Sequence, residues 1–190
     1  MTSEDRRQFV HAAMTLLALT FRWLTPTEAA ALAASAVVLN WVVLPATGLD
    51  RGLRRPGGPW IDGVKMYPVA VLAVVLLFRD RLEIAAAAWA VLGIGDAASN
   101  VVGRRIGRPP FLGRTDRSLA GTVAFVATGT FAAVAVHAFV ARAAPGATTL
   151  AAAGAAAVAG AAVELITPRP LDDNLPICVA AGAAFWLVAA

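Results

Sequence analysis

Charge is what this 190-residue chain has least of: Asp, Glu, Lys and Arg together make up 15% of it, while 59% is hydrophobic. Soluble domains run to about 25% charged and about 45–50% apolar. One compact core of this length could not bury so much apolar side chain and still present a polar surface. Soluble globular and disordered readings are excluded. Cysteine is almost absent too. The single Cys178 cannot form an internal disulfide, which excludes a disulfide scaffold, and within its apolar run it reads as a small hydrophobe. Lysine is the third scarcity, since Lys65 is the only one among 16 basic residues. The arginines that replace it offer a planar fork suited to bidentate phosphate contacts, although a compositional bias toward Ala and Arg explains them equally well.

What is present is apolar sequence in long runs. A membrane crossing needs roughly 20 apolar residues, fewer with tilt or snorkelling flanks. Seven runs qualify, at about 8–24, 28–46, 64–79, 83–103, 119–141, 148–167 and 175–190. The first resembles a signal peptide, with Arg6 and Arg7 before it, but a cleavage site near Ala31-Leu32-Ala33 would cut inside the second run. It is therefore read as a span. No linker interrupts the chain, whose longest polar stretch is 47–63, so residues 1–190 are read as a single integral-membrane domain.

If the runs alternate in direction, one side collects twelve basic residues and the other four, namely Arg22, Arg79, Arg81 and Arg142. The positive-inside rule puts the twelve in the cytoplasm. The expected fold is all-α, a polytopic helical bundle of about seven transmembrane helices with a cytoplasmic N-terminus. The segments rich in Gly, Pro, Asp and Asn all fall on that cytoplasmic side. Any polar site is expected there.

Ionisable groups inside apolar runs are costly and need a reason. Asp96, Asn100 and Gly103 fall at i, i+4 and i+7, on one helix face, with Ser99 beside them. Hard oxygen donors next to a glycine gap suit Mg²⁺. A polar clamp between helices is the structural alternative. Glu164 ends a small-residue run, and after the Thr167-Pro168-Arg169-Pro170 break comes Asp172-Asp173-Asn174. That cluster reads as a metal or acid–base site, or else as a plain turn. Arg114, Arg117, Ser118 and Thr122 surround Gly121 where a helix begins, an arrangement that attracts phosphate or simply anchors to anionic lipid. His11, four residues after Arg7, points the same way on the first helix. Phosphoryl transfer needs divalent metal, cations and a carboxylate near the attacking hydroxyl. In a bilayer the acceptor would be a lipid.

The order Arg7…His11, Gly95-Asp96-Ala97-Ala98…Gly103-Arg104-x-x-Gly107, Arg117-Ser118-Leu119-Ala120-Gly121-Thr122 and Glu164-Leu-Ile-Thr-Pro…Asp172-Asp173-Asn174-Leu175 resembles the CTP-dependent polyprenol kinase family across most of the chain. That family includes dolichol, phytol and farnesol kinases and the CTP-dependent diacylglycerol kinase. Phosphatidate cytidylyltransferase is similar at greater distance. The resemblance implies a membrane enzyme that moves the γ-phosphate of CTP to a lipid alcohol with Mg²⁺. It implies catalytic roles for Asp96, Asp173, Glu164 and His11. Nucleotide or phosphate contacts would fall to Arg7, Asn100, Arg104, Arg114, Arg117, Ser118, Gly121, Thr122 and Asn174. Asp96, Asn100 and Asp173 would hold metal.

Three departures stand out: Gln8 replaces a basic residue, Arg117 replaces the lysine before Ser118, and Ala120 replaces a glutamate. The expected acceptor is an isoprenoid alcohol of the phytol, polyprenol or dolichol type. Diacylglycerol phosphorylation and cytidylyl transfer to a lipid phosphate are the enzymatic alternatives, and a small transporter the non-enzymatic one. A bacterial-type inner membrane is the expected location, with the site facing the cytoplasm and no nucleic-acid partner.

Overall fold

The computed structural model describes residues 3–49, 62–106, 111, 117–168 and 171–190, with the side chains of Ser3 and Glu4 outside the description. The described residues are all-helical, without strands. Helix α1 (Ser3–Met14) continues as a 3₁₀ stretch over Thr15–Arg22. Then come α2 (Pro26–Thr47), α3 (Gly63–Leu77), α4 (Leu82–Arg105), α5 (Leu119–Ala141), α6 (Ala147–Ile166) and α7 (Asn174–Ala189). These helices coincide with the apolar runs to within a few residues, except that α1 starts at Ser3 rather than near residue 8.

Length separates them. Helices α2, α4, α5 and α6 are long and apolar enough to cross a bilayer, while α3 and α7 are shorter apolar helices. At 1.5 Å per residue the 24 residues of α4 reach about 36 Å, more than the hydrocarbon thickness. Local chemistry sets the helix starts. Thr25 accepts from the Glu28 amide while the Glu28 carboxylate accepts from the Thr25 amide at 2.8 Å, a closed capping box with Pro26 in the first turn.

Helix α4 is the core of the bundle: 78% of its apolar window is buried, against 11% for α2. Its run Ala85–Ala88 is fully buried, and α3, α5 and α7 pack around it. Small residues let the backbones close in. A Cβ on Gly95 or Gly160 would meet the Phe125 ring at 3.1 Å, so one aromatic ring fills the space that two glycines leave. Cys178 is buried in α7.

Contacts at the helix ends give the bundle two poles. At one, Arg104 of α4 donates to Asp5 of α1 at 3.0 Å, and Arg117, just before α5, bridges Glu164 at the end of α6 and Asp173 before α7. Gly63 of α3 lies against Asn174 there. At the other pole the Arg22 guanidinium donates to the Phe139 carbonyl at 2.6 Å and rides over its ring, and Arg142 donates back to the Arg22 carbonyl at 3.0 Å. The chain thus runs up and down, and Asp5, Asn100, Glu164, Asp172, Asp173 and Asn174 collect at the first pole.

Candidate functional site

The site begins with an irregularity in α4. Residues Val91–Asp96 are wound as a π-helix, ending on Asp96 before regular α-geometry resumes at Ala97. Such bulges recur at functional sites because they leave backbone groups free and turn side chains off the helical register. Asn100 lies one turn on and donates its Nδ2 to the Asp96 carbonyl at 2.9 Å and to Oδ1 at 3.0 Å. The two share a face, as their spacing requires.

Opposite Asp96 stands His11, with Nε2 3.9 Å from Oδ2, beyond hydrogen-bonding range. Tyr67 of α3 holds His11 in place. Its hydroxyl donates to the His11 carbonyl at 3.1 Å and accepts from the Trp89 indole at 2.8 Å, and its ring meets the imidazole edge-on at 4.2 Å. Gly93 makes this approach possible, since a Cβ there would sit 1.8 Å from Thr15 Oγ1 and 2.9 Å from the Tyr67 hydroxyl. Sequence reasoning gave Tyr67 no more weight than an ordinary Tyr67-Pro68 pair opening a helix, and it did not single out Trp89 or Thr15. The one available signal was that Tyr67 is the chain's only tyrosine, placed inside an apolar run.

A second cluster lies on the Ser99 side of α4. Arg117 donates from Nη1 to Glu164 Oε1 at 2.5 Å and from Nη2 to Asp173 Oδ2 at 2.8 Å. Ser99 adds its hydroxyl to the same Glu164 oxygen at 2.9 Å. One guanidinium therefore spans a carboxylate in α6 and another just before α7, which a lysine could not do with one ammonium. Beside it Ser118 caps α5, its hydroxyl accepting from the Gly121 amide at 3.1 Å. Gly121 and Gly103 let α4 and α5 meet: a Cβ on either would come within 3.0 Å of Ser99 O or Ser118 Oγ.

Between these groups lies a small cleft lined by Ser99, Asn100, Gly103, Arg104, Arg117, Ser118, Thr122 and Glu164. Seven of these eight residues carry a polar side chain, although the helices around them are apolar. Of the residues expected at the site, Asn100, Arg104, Arg117, Ser118, Thr122 and Glu164 meet here, with Gly121 adjoining. Asp96 and His11 form a neighbouring pair joined to the cleft through Asn100. Arg104 is engaged by Asp5. Asn174 turns its amide to Asp172, at 2.9 Å from each carboxylate oxygen, and burial pushes the Asp172 carboxyl up to about 6. Arg7 lies close enough to His11 and Asp96 to act on both through its charge. Arg114 and Gly107 lie outside the described residues.

The expected metal donors do not gather as one set. Among the described residues no three His, Cys, Asp or Glu side chains converge on a common point. Asp96 and Asn100 are adjacent, whereas Asp173 is drawn into the Arg117 ion pair. Mg²⁺ is commonly held by one or two carboxylates plus phosphate oxygens, keeping several waters. Asp96 with Asn100 fits that mode, in which the chain supplies a minority of the ligands. No family model, no curated protein and no solved structure matches this chain.

Proposed function

We propose that this chain is a CTP-dependent lipid-alcohol kinase of a bacterial-type inner membrane. The observation that carries the reading is the polar cleft at one pole of an apolar bundle, where two arginines and the capped N-terminus of α5 face Asn100 and, through it, Asp96. Guanidinium groups and a helix N-terminus are what a polyphosphate requires. A carboxylate next to them is what an incoming hydroxyl and a phosphate-bound Mg²⁺ require. Mg²⁺, when bound with the nucleotide, would supply charge neutralisation on the transferred phosphoryl group. The lipid hydroxyl attacks the γ-phosphorus, the bond to the β–γ bridging oxygen breaks, and CDP leaves with that electron pair while the hydroxyl proton passes to a base.

In this reading all seven helices enter the membrane, α1, α3 and α7 with tilt or partial crossing, and the pole with the cleft faces the cytoplasm. The up-and-down course of the chain and the twelve-to-four distribution of basic residues support that orientation. An isoprenoid alcohol is the leading acceptor and diacylglycerol the next.

The test is transfer of label from α- or γ-labelled CTP to lipid by the purified protein, with a panel of lipid alcohols. Label arriving from the γ position supports kinase activity. Label arriving only from the α position makes the chain a cytidylyltransferase, and no turnover with any acceptor favours the transporter alternative. Asp96→Asn is expected to abolish Mg²⁺-dependent transfer while the protein remains folded in detergent.

A further inference from the structure

Charges at the second pole sort into those with an acidic partner and those without. Glu28 closes the Thr25 capping box, Asp80 lies 3.7 Å from Arg79, and Glu83 accepts from Arg81 at 2.6 Å. Arg81 and Glu83 act through their charges on His137 of α5, which puts the α3–α4 turn beside the end of α5. Arg22 and Arg142 remain. Among the described residues neither meets a carboxylate: Arg22 donates to the Phe139 carbonyl and Arg142 to the Arg22 carbonyl. Each contact uses one of a guanidinium's five N–H groups. The carbonyl end of α5 offsets part of the Arg22 charge and leaves two cations tied to one another's backbone.

The backbone at Arg142 favours a different residue. Its φ of 57° is left-handed, and it is the only non-glycine residue with a positive φ among those described. The turn needs this geometry, because the Arg142 and Ala143 amides both close on the Ala138 carbonyl as α5 ends. Glycine or asparagine is the usual occupant of such a position, since a Cβ crowds the neighbouring carbonyl. Strain of this kind is held where the side chain has a use. The side chain held here is a guanidinium beside Arg22.

An apolar stripe on the outward side of α5 leads up to the two arginines. Phe131, Ala135 and Phe139 recur every four residues and are all exposed, Phe131 to 78%. Trp23, 64% exposed, meets Phe139 edge-on at 5.7 Å, and the Arg22 guanidinium lies 5.8 Å from the Trp23 ring. Helix α5 is long and apolar enough to cross a bilayer, which puts its last turn at headgroup depth, where tryptophan rings and snorkelling arginines settle. Two guanidiniums above an exposed apolar stripe complement a phosphodiester above an acyl chain.

We propose that Arg22 and Arg142 form a docking site for the headgroup of an anionic phospholipid, whose acyl chain lies along Phe131, Ala135 and Phe139. A zwitterionic lipid brings its own ammonium to the same place, so the net-negative lipid is the one selected. The inference rests on α5 crossing the membrane and not on the kinase reading. It puts a specific lipid contact at the pole opposite the cleft.

The test uses full-length protein in phosphatidylcholine nanodiscs that contain increasing fractions of phosphatidylglycerol with brominated acyl chains. A parallel series carries brominated phosphatidylcholine. Bromine quenches tryptophan at contact distance, and the difference between wild type and Trp23→Phe isolates the Trp23 signal. The expected preference for phosphatidylglycerol at Trp23 is about fivefold, or roughly 1 kcal/mol. Arg142→Gly, which suits the left-handed turn, should bring it below about twofold, whereas Arg142→Lys should keep most of it. Arg79→Gln, at the same pole but on an arginine paired with Asp80, should leave it unchanged.

Equal quenching by the two lipids, or an unchanged preference in Arg142→Gly, overturns the site. A preference erased equally by Arg79→Gln reduces it to the general charge of the pole and overturns it as well. One erased by inorganic phosphate, but not by chloride of the same ionic strength, belongs to a free anion and overturns the phospholipid as occupant. None of these measurements involves CTP, so their failure and the failure of the labelled-CTP assay are separate results.

Discussion

Replacing Arg117 by methionine tests the architecture of the cleft most directly. The Arg117 side chain is 8% exposed and that of Glu164 2%, so this ion pair is buried, and a second carboxylate, Asp173, shares the same guanidinium. Removing the cation leaves Glu164 buried beside the Ser99 hydroxyl without its counter-charge. Breaking a buried pair in this way costs about 3–5 kcal/mol. Against a typical total stability of about 5–15 kcal/mol, that is a large share.

The cost should come from the stranded charge rather than from lost packing, because methionine occupies much of the arginine stem's volume. The double variant Arg117→Met with Glu164→Gln should therefore recover most of the loss, since Gln keeps an acceptor for Ser99 and carries no charge. Arg117→Lys should fall between, because one ammonium cannot donate along two diverging directions. Reversible denaturation in detergent micelles, followed by tryptophan fluorescence, reads all three. A loss below about 1 kcal/mol in Arg117→Met, or no recovery in the double variant, refutes the reasoning.

Three further outcomes follow from local geometry. Gly93→Ala should destabilise by about 1–3 kcal/mol by overpacking against Thr15 and Tyr67, and adding Thr15→Ala should return part of it; equal stability of wild type and Gly93→Ala in the same denaturation would refute the close packing. Ser118→Ala removes the cap of α5 and should cost about 1 kcal/mol, while Ser118→Asp restores an acceptor and should recover it in a melting comparison. Asp172 gives a pH signature. Its folded-state carboxyl is pushed up to about 6 from an ordinary value near 3.8, so between those values the folded chain holds a proton that the unfolded chain has released. Stability should fall as pH rises through about 4–6 and then level off, and Asp172→Asn should lack that slope in melting curves recorded with EDTA. A parallel slope in the variant refutes the assignment.

The helical runs could be read from the sequence because burial in lipid writes itself as uninterrupted apolar residues. The Asp96–Asn100 hydrogen bond could be read for a different reason: it joins positions four apart on one helix, where the 3.6-residue period fixes proximity. The Arg117 clamp could not be read as a clamp. Its partners lie 47 and 56 residues along the chain, and nothing local says which acid an arginine will meet. Glu164 and Asp173 were legible as anomalies, but their shared cation was not. The π-wound turn Val91–Asp96 was equally hidden, since its Gly93 is approached by Thr15 and Tyr67 from segments distant in the chain.

Composition and periodicity alone therefore determined a chain of apolar helices, several of them long and apolar enough to cross a membrane, with a few costly polar residues inside them. Those properties depend on each residue's own solvation and on neighbours within one helical turn. Only the tertiary structure decided how the acids divide: Glu164 and Asp173 on Arg117, and Asp96 facing His11 at 3.9 Å beside Asn100. That division depends on which helix ends meet at one pole, and an ion pair forms with whatever charge the packing brings near. The scarcity of charge seen first in the sequence thus resolves into two differently occupied places within one site.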